Sequence, residues 1–355
     1  MNANDRLSDY FTSLEHGDEF SGVVLITKGD LELFHGCYGY ASRQWKMKNT
    51  LDTRFDTASI TKLFTAVATL QLIEQGLLAL DTGIIDLLKL KNTTISRDVN
   101  VYHLLTHTSG IGDDVEEEDG EIYADLWKSR PNYAVTTTVD FLPQFVHKPP
   151  NFPPGQGCRY CNCSFILLGL AIEKLTGMTY REYVRQHIFY KAEMRHSDFF
   201  HLENVNENVA EGSDPVKDTS GKILGWRKNI YSYPPVGSPD SGAHVTVGDL
   251  NRFLRSVQTG KLLSKDLTEK FLTPQVQYRE TEKWIIKYGM GLMFYLDKTN
   301  KVVCYQKDGI NAGVSGIIRH FPDRDLTIML LSNMDSGVWK PVWEIHNLVI
   351  DGLFD

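Results

Sequence analysis

Apolar and polar positions over residues 4–16 recur as a short amphipathic helix would place them, and the pattern then changes period. Gly22-Val-Val-Leu-Ile-Thr27 and Leu31-Glu-Leu-Phe-His-Gly-Cys-Tyr38 predict two strands, paired as a hairpin through the turn Lys28-Gly29-Asp30. From Asp56 to about Leu80 the period is helical, with Ile60, Leu63, Phe64, Val67 and Leu70 forming one buried stripe. Further helices are predicted over 97–107, 137–147, Asn162–Thr176, Thr179–Ile188 and Thr246–Gln258. Loops bearing Pro and Gly, notably Lys148–Gly155 and Tyr233–Pro239, separate them. After about residue 285 strand patterns return at Gly289–Tyr295, Lys301–Gln306, Val314–Phe321 and Asp325–Leu331, and a last helix covers 340–352. Strands at both ends with helices between them predict an α+β fold. Residues 1–58 and 246–355 would build a mostly antiparallel sheet flanked by the N- and C-terminal helices. The mainly helical stretch 59–245 would be an inserted domain, with the functional site at the junction.

Composition narrows the function classes. A chain of 355 residues suits about two domains, and 42% hydrophobic with 23% charged residues excludes disordered and fibrous classes. Lys and Arg total 37 against 45 Asp and Glu, a net charge of −8, which argues against nucleic acid or an anionic membrane surface as main partner. No apolar run approaches the length of a membrane span, and the first residues lack a signal-type apolar segment. The five cysteines are odd in number, and Cys158, Cys161 and Cys163 crowd together, as suits reduced thiols. Together these features predict a cytoplasmic location. The acidic run Asp113, Asp114, Glu116, Glu117, Glu118, Asp119 and Glu121 reads first as a solvated loop. Its functional alternative is an acidic rim near the cleft that disfavours anionic substrates.

Three short segments carry chemistry. In Asp56-Thr-Ala-Ser-Ile-Thr-Lys62, Ser59 and Lys62 are three apart at a helix start, on one face. A nearby lysine can take the proton that keeps a serine hydroxyl inert, and the helix N-terminus supplies free N–H groups. In Tyr160-Cys-Asn162 the alternation points Tyr160 and Asn162 to one side. A tyrosine beside two ammonium groups is expected to have its pKa lowered from about 10, and Asn162 offers a neutral amide. In Lys307-Asp308-Gly309-Ile310, a lysine gives fixed positive charge and Gly309 lets the substrate approach the strand backbone closely. The N–H of Ile310 could then join that of Ser59 in an oxyanion hole.

Taken together, S-x-x-K, Y-x-N and K-x-G resemble the serine β-lactamase and penicillin-binding-protein superfamily. The Y-x-N form is similar to the branch containing class C β-lactamases, D-alanyl-D-alanine carboxypeptidase relatives and β-lactamase-like esterases. Leu104-Leu-Thr-His-Thr-Ser-Gly-Ile111 and Tyr288-Gly-Met-Gly-Leu292 match further signatures of that branch. The resemblance runs from about residue 6 to 350 and implies the β-lactamase/transpeptidase-like fold with no metal and no cofactor. It implies Ser59 as acylated nucleophile, Lys62 as its proton partner and Tyr160 as general base. Asn162 becomes a substrate-binding amide and Lys307 an electrostatic anchor, with the Ser59 and Ile310 N–H groups facing the oxyanion.

One departure shifts the substrate expectation. Asp308 stands where β-lactamases have Thr, and an acid there repels the substrate carboxylate of a β-lactam. The expected function is thus a serine hydrolase of small esters or D-amino-acid peptides, acting on a small molecule or short peptide. A β-lactamase, or a penicillin-binding protein with little turnover, is the alternative. The sequence leaves oligomeric state open. Cys158, Cys161 and Cys163 lack a second Cys/His pair at zinc-finger spacing, and His103 and His107, at i, i+4, lack the glutamate of H-E-x-x-H. Both histidines are read as structural hydrogen-bonding groups.

Overall fold

The computed structural model describes residues 3–354. Eight antiparallel strands make the main sheet: β1 Gly22–Lys28, β2 Leu31–Tyr38, β3 Val276–Glu280, β4 Ile285–Tyr288, β5 Met293–Leu296, β6 Val302–Asn311, β7 Val314–Phe321 and β8 Leu326–Ser332. Their spatial order is β2-β1-β8-β7-β6-β5-β4-β3, so the N-terminal hairpin docks on the last strand, with Gly22 opposite Ser332 and Lys28 opposite Leu326. β7 and β8 are buried along their whole length, because helices cover both faces of the sheet.

The long helices are α1 Ala3–His16, α2 Thr61–Glu74, α3 Cys163–Thr176, α4 Val247–Gln258 and α5 Trp339–Ile350; all but α3, which packs against α2, provide that cover. On one face, Leu7, Phe11 and Leu14 of α1 and Val342, Ile345 and Val349 of α5 pack on Val24, Ile26, Ile328 and Leu330. On the other, Leu63 and Val67 of α2 and Leu250, Phe253 and Leu254 of α4 join Val23, Leu25, Met329 and Leu331. Alternate side chains of one strand thus feed two separate cores.

The predicted elements shift where distant partners intervene. The helix expected from Asp56 begins at Thr61, because Phe55–Asp56 pairs with His244–Val245 and Ala58–Ile60 is a 3₁₀ turn. In place of a single stripe, α2 is buried all round from Thr61 to Leu72, being wrapped by its neighbours. Over 97–107 the α-helix is Val101–Leu105, capped by Asn100 and stopped before His107, which adopts φ +59°. Thr138–Gln144 is 3₁₀ with Pro143 inside it. Of the strand expected over Gly289–Tyr295 only Met293–Tyr295 is strand, in β5; residues 289–292 are the turn from β4, in which Gly289 N–H donates to Leu292 O at 2.8 Å. β3 was not anticipated, nor was a hairpin, Ser213–Lys217 with Ile223–Lys228, in the mainly helical middle.

Candidate active site

Ser59 lies on the 3₁₀ turn that feeds α2. The residue before it, Ala58, is buried in the left-handed region at φ +43°, a conformation that costs a non-glycine residue energy and is frequent at functional sites. The Asp56 carboxylate holds it there, accepting the Ala58 N–H at 2.7 Å. Burial raises the Asp56 carboxyl, an effect that His244 and that hydrogen bond oppose.

One helical turn on, Lys62 Nζ is 3.0 Å from Ser59 Oγ, 2.7 Å from Asn162 Oδ1 and 2.9 Å from the Asp240 carbonyl. From the opposite side the Tyr160 hydroxyl donates to Ser59 Oγ at 2.7 Å. Residues 59, 62, 160 and 162 are therefore brought together as the motifs predicted. Asn162 is buried beneath the site with its Oδ1 spent on Lys62, and it is not among the residues lining the cleft.

The expected lowering of the Tyr160 pKa is reversed. Lys62 and Lys307 do lie 5.0 and 5.1 Å from its ring centroid, but burial dominates and, with Glu117, holds the phenol well above its usual value. Lys307 is also buried, and its pKa is pulled down to about 8 by desolvation; Lys62 adds to the fall while Asp308 and Glu117 oppose it. β6 extends past the predicted end at Gln306 to Asn311, so that Lys307, Asp308, Gly309 and Ile310 are all on the strand. A Cβ at Gly309 would stand 2.2 Å from Thr57 O and 2.9 Å from Ser59 N. The space expected for substrate at Gly309 is thus taken by the serine turn, which the missing side chain lets lie against the β6 backbone. Ile310 follows, half-exposed, on the cleft wall.

Support comes from residues that the sequence placed outside the catalytic motifs. His107 lies under the Tyr160 ring, centroids 4.7 Å apart, and its Nδ1 accepts the Cys161 N–H at 3.1 Å. Burial, then the Lys307 and Lys62 charges, keep His107 neutral. It cannot share a helical face with His103, which bonds to the Asn100 N–H at the start of its own short helix. The acidic run is a built part of the site. Asp113 accepts the Asn162 and Cys163 N–H groups at 2.8 and 2.9 Å, capping α3; Glu116 and Asp119 both pair with Arg159 at 2.8 Å. Glu118 Oε1 accepts the Tyr160 N–H at 3.0 Å and the Tyr278 hydroxyl at 3.1 Å. Glu117 lines the cleft; burial raises its carboxyl, opposed by Lys62 and Lys307.

Asp113, Asp114 and Cys163 bring three potential metal ligands within 4.8 Å. Those atoms already serve the start of α3, since Asp113 is capping and Cys163 Sγ accepts the Asp114 N–H at 3.2 Å. All five cysteines are free thiols, and burial raises Cys161 and Cys163 well above the usual thiol range. No helix among the described residues is long and apolar enough to cross a membrane.

A family model described as Beta-lactamase matches residues 8–342. Penicillin-binding protein 4* of Bacillus subtilis (strain 168) is 25% identical over 353 residues, which is 95% of this chain and 73% of that protein. The crystal structure of a penicillin-binding protein from Bacillus halodurans is similar at TM-score 0.86 and 34% identity, covering 95% of this chain and 99% of the other. A D-amino acid amidase from Ochrobactrum anthropi SV3 shares the fold at TM-score 0.76 and 20% identity, over 95% and 96% of the two chains.

Proposed function

Because this chain belongs to the beta-lactamase family, we propose that it is a serine hydrolase forming an acyl-enzyme on Ser59 with small ester or amide substrates. The observation that carries the reading is the convergence of Lys62 Nζ and the Tyr160 hydroxyl on Ser59 Oγ, at 3.0 and 2.7 Å. Two of the three substituent positions on Lys62 Nζ face Asn162 Oδ1 and the Asp240 carbonyl, which only accept hydrogen bonds. The third faces Ser59 Oγ, which places Lys62 to take the hydroxyl proton.

In this mechanism Lys62 takes the Ser59 proton as the bond from Oγ to the acyl carbon forms. Tyr160, protonated because burial raises it, gives its proton to the leaving oxygen or nitrogen as that bond to the acyl carbon breaks. It then recovers a proton from Lys62. Water attacks the acyl-Ser59 ester in the second half and releases the acid. The Ser59 and Ile310 N–H groups are the proposed oxyanion donors, and Lys307 supplies positive potential over the Tyr160 ring. The free thiols support a reducing, cytoplasmic setting.

A penicillin-binding or β-lactamase role is the second reading, favoured by the 34% identity to the Bacillus halodurans protein. Against it stands Asp308 on the cleft wall. Intact-protein mass spectrometry of wild type and Ser59→Ala, after a p-nitrophenyl ester and separately after benzylpenicillin, distinguishes the readings. Ester turnover without a lasting adduct, reduced about 10³-fold or more in Ser59→Ala, is expected. A persistent penicilloyl adduct on wild type alone supports the second reading, and neither adduct nor turnover ends both.

A further inference from the structure

The cleft beside Ser59 has an unbalanced wall. Its lining carries three carboxylates, Glu117, Glu118 and Asp308, against one ammonium, Lys307. Glu118 is fixed by its bonds to the Tyr160 N–H and the Tyr278 hydroxyl. The neighbouring cation, Arg159, is saturated by Glu116 and Asp119, so Glu117 is offset only through space, by the charges of Lys62 and Lys307. Among the described residues neither Glu117 nor Asp308 has a hydrogen-bonding or ion-pairing partner for its carboxylate, whereas Asp113, Glu116 and Asp119 of the same loop are all engaged. The remaining walls include the rings of Tyr160, Tyr278 and Tyr288; Tyr160 already draws Lys62 and Lys307 and Tyr278 draws Arg279, at 5.0, 5.1 and 5.3 Å from the ring centroids, as aromatic faces attract cations. A small cleft with free carboxylates and aromatic rings has the chemistry of an ammonium subsite.

Its position relative to the reaction follows from Tyr160. The loop bearing Glu117 and Glu118 is bonded to the Tyr160 backbone, and Tyr160 is the group that delivers a proton to the leaving atom in the mechanism above. Glu117 and Glu118 therefore flank the leaving group on the Tyr160 side, while Asp308 and Ile310 stand on β6 beside the developing oxyanion. Resting on the reading of Ser59 as nucleophile, we propose that the cleft selects esters and amides whose leaving group carries an ammonium, with Glu117 as the specificity-determining carboxylate. A leaving group bearing a carboxylate is disfavoured at the same wall, despite Lys307.

The test compares three phenylacetyl esters that differ in leaving-group charge: the choline ester, its neutral isostere the 3,3-dimethylbutyl ester, and the 3-hydroxypropanoate ester. In wild type kcat/KM is expected to fall in that order, with the choline ester about tenfold above its isostere at low salt and less so at high salt. In Glu117→Gln the choline-to-isostere ratio should drop towards one, and Glu117→Asp should restore part of it. A wild-type ratio of one or below, or a ratio unmoved by Glu117→Gln, overturns the proposal while Ser59-dependent turnover of the neutral ester leaves the hydrolase reading standing. Absence of turnover with all three esters, and of acylation by a fluorophosphonate probe, overturns both.

Discussion

At the scale of single residues, the site works by setting burial against charge. Lys307 is the clearest case, since desolvation brings its pKa to about 8 although Asp308 and Glu117 attract its proton. Its charge is present below that value and lost above it, so a step that depends on it weakens as pH rises through about 8. The expected kcat/KM profile has an alkaline limb near there; Lys307→Arg should move the limb upward, and Lys307→Met should abolish it with lower activity throughout. A limb unmoved in Lys307→Arg assigns it to another group. The sign for stability is the reverse. Between about 8 and the ordinary lysine value the unfolded chain holds the extra proton, so stability gains from this residue as pH rises. Ser59, Lys62, Tyr160 and Lys307 were legible in the sequence because their residue types and spacings are specific in combination. Glu117 stood out only as one of a charged run, because its place on the cleft wall depends on a loop folding back across Tyr160. The direction of the Tyr160 shift was illegible for a related reason. Spacing showed the ammonium groups, and only the packed structure shows how far its neighbours desolvate the phenol.

Among the elements, α3 shows how the acidic loop and the site are joined. Asn162 precedes the helix without capping it through its own side chain; that amide is committed to Lys62, and Asp113 supplies the cap from a distant loop. Asp113→Ala leaves two buried N–H groups without an acceptor, with an expected loss of about 1–3 kcal/mol in urea unfolding and reduced turnover as Asn162 shifts. Asp113→Asn keeps an acceptor and should lose less. Equal losses in the two variants would refute the capping role. Elements with a strong local period, such as α1, α3, α4, β1 and β7, were readable to within a few residues. The misplaced ones answer to non-local partners: Phe55–Asp56 is drawn into a strand by His244–Val245. β6 runs on through Lys307 and Asp308 because β7 pairs with every residue from Tyr305 to Asn311. No local window contains those partners.

For the whole molecule, the sheet joins the two ends of the chain. β1 pairs with β8 along its full length, and Ser332 Oγ donates to Ser21 O across 311 positions of sequence. Removing residues from Leu326 onward should therefore cost more than one strand, since β1 and β2 lose their connection to the sheet. Such a chain is expected to lose cooperative unfolding, as followed by circular dichroism; a sharp, native-like transition would show that the N-terminal hairpin is held by other contacts. The same closure has a consequence during synthesis. At roughly 5–20 residues per second the ribosome needs on the order of 15–60 s to pass from β1 to β8. Throughout that interval the nascent hairpin exposes the apolar side chains of both its faces and an unpaired strand edge. A chaperone that shields β1 until β8 emerges would therefore raise the yield of folded chains without changing the stability of the finished fold.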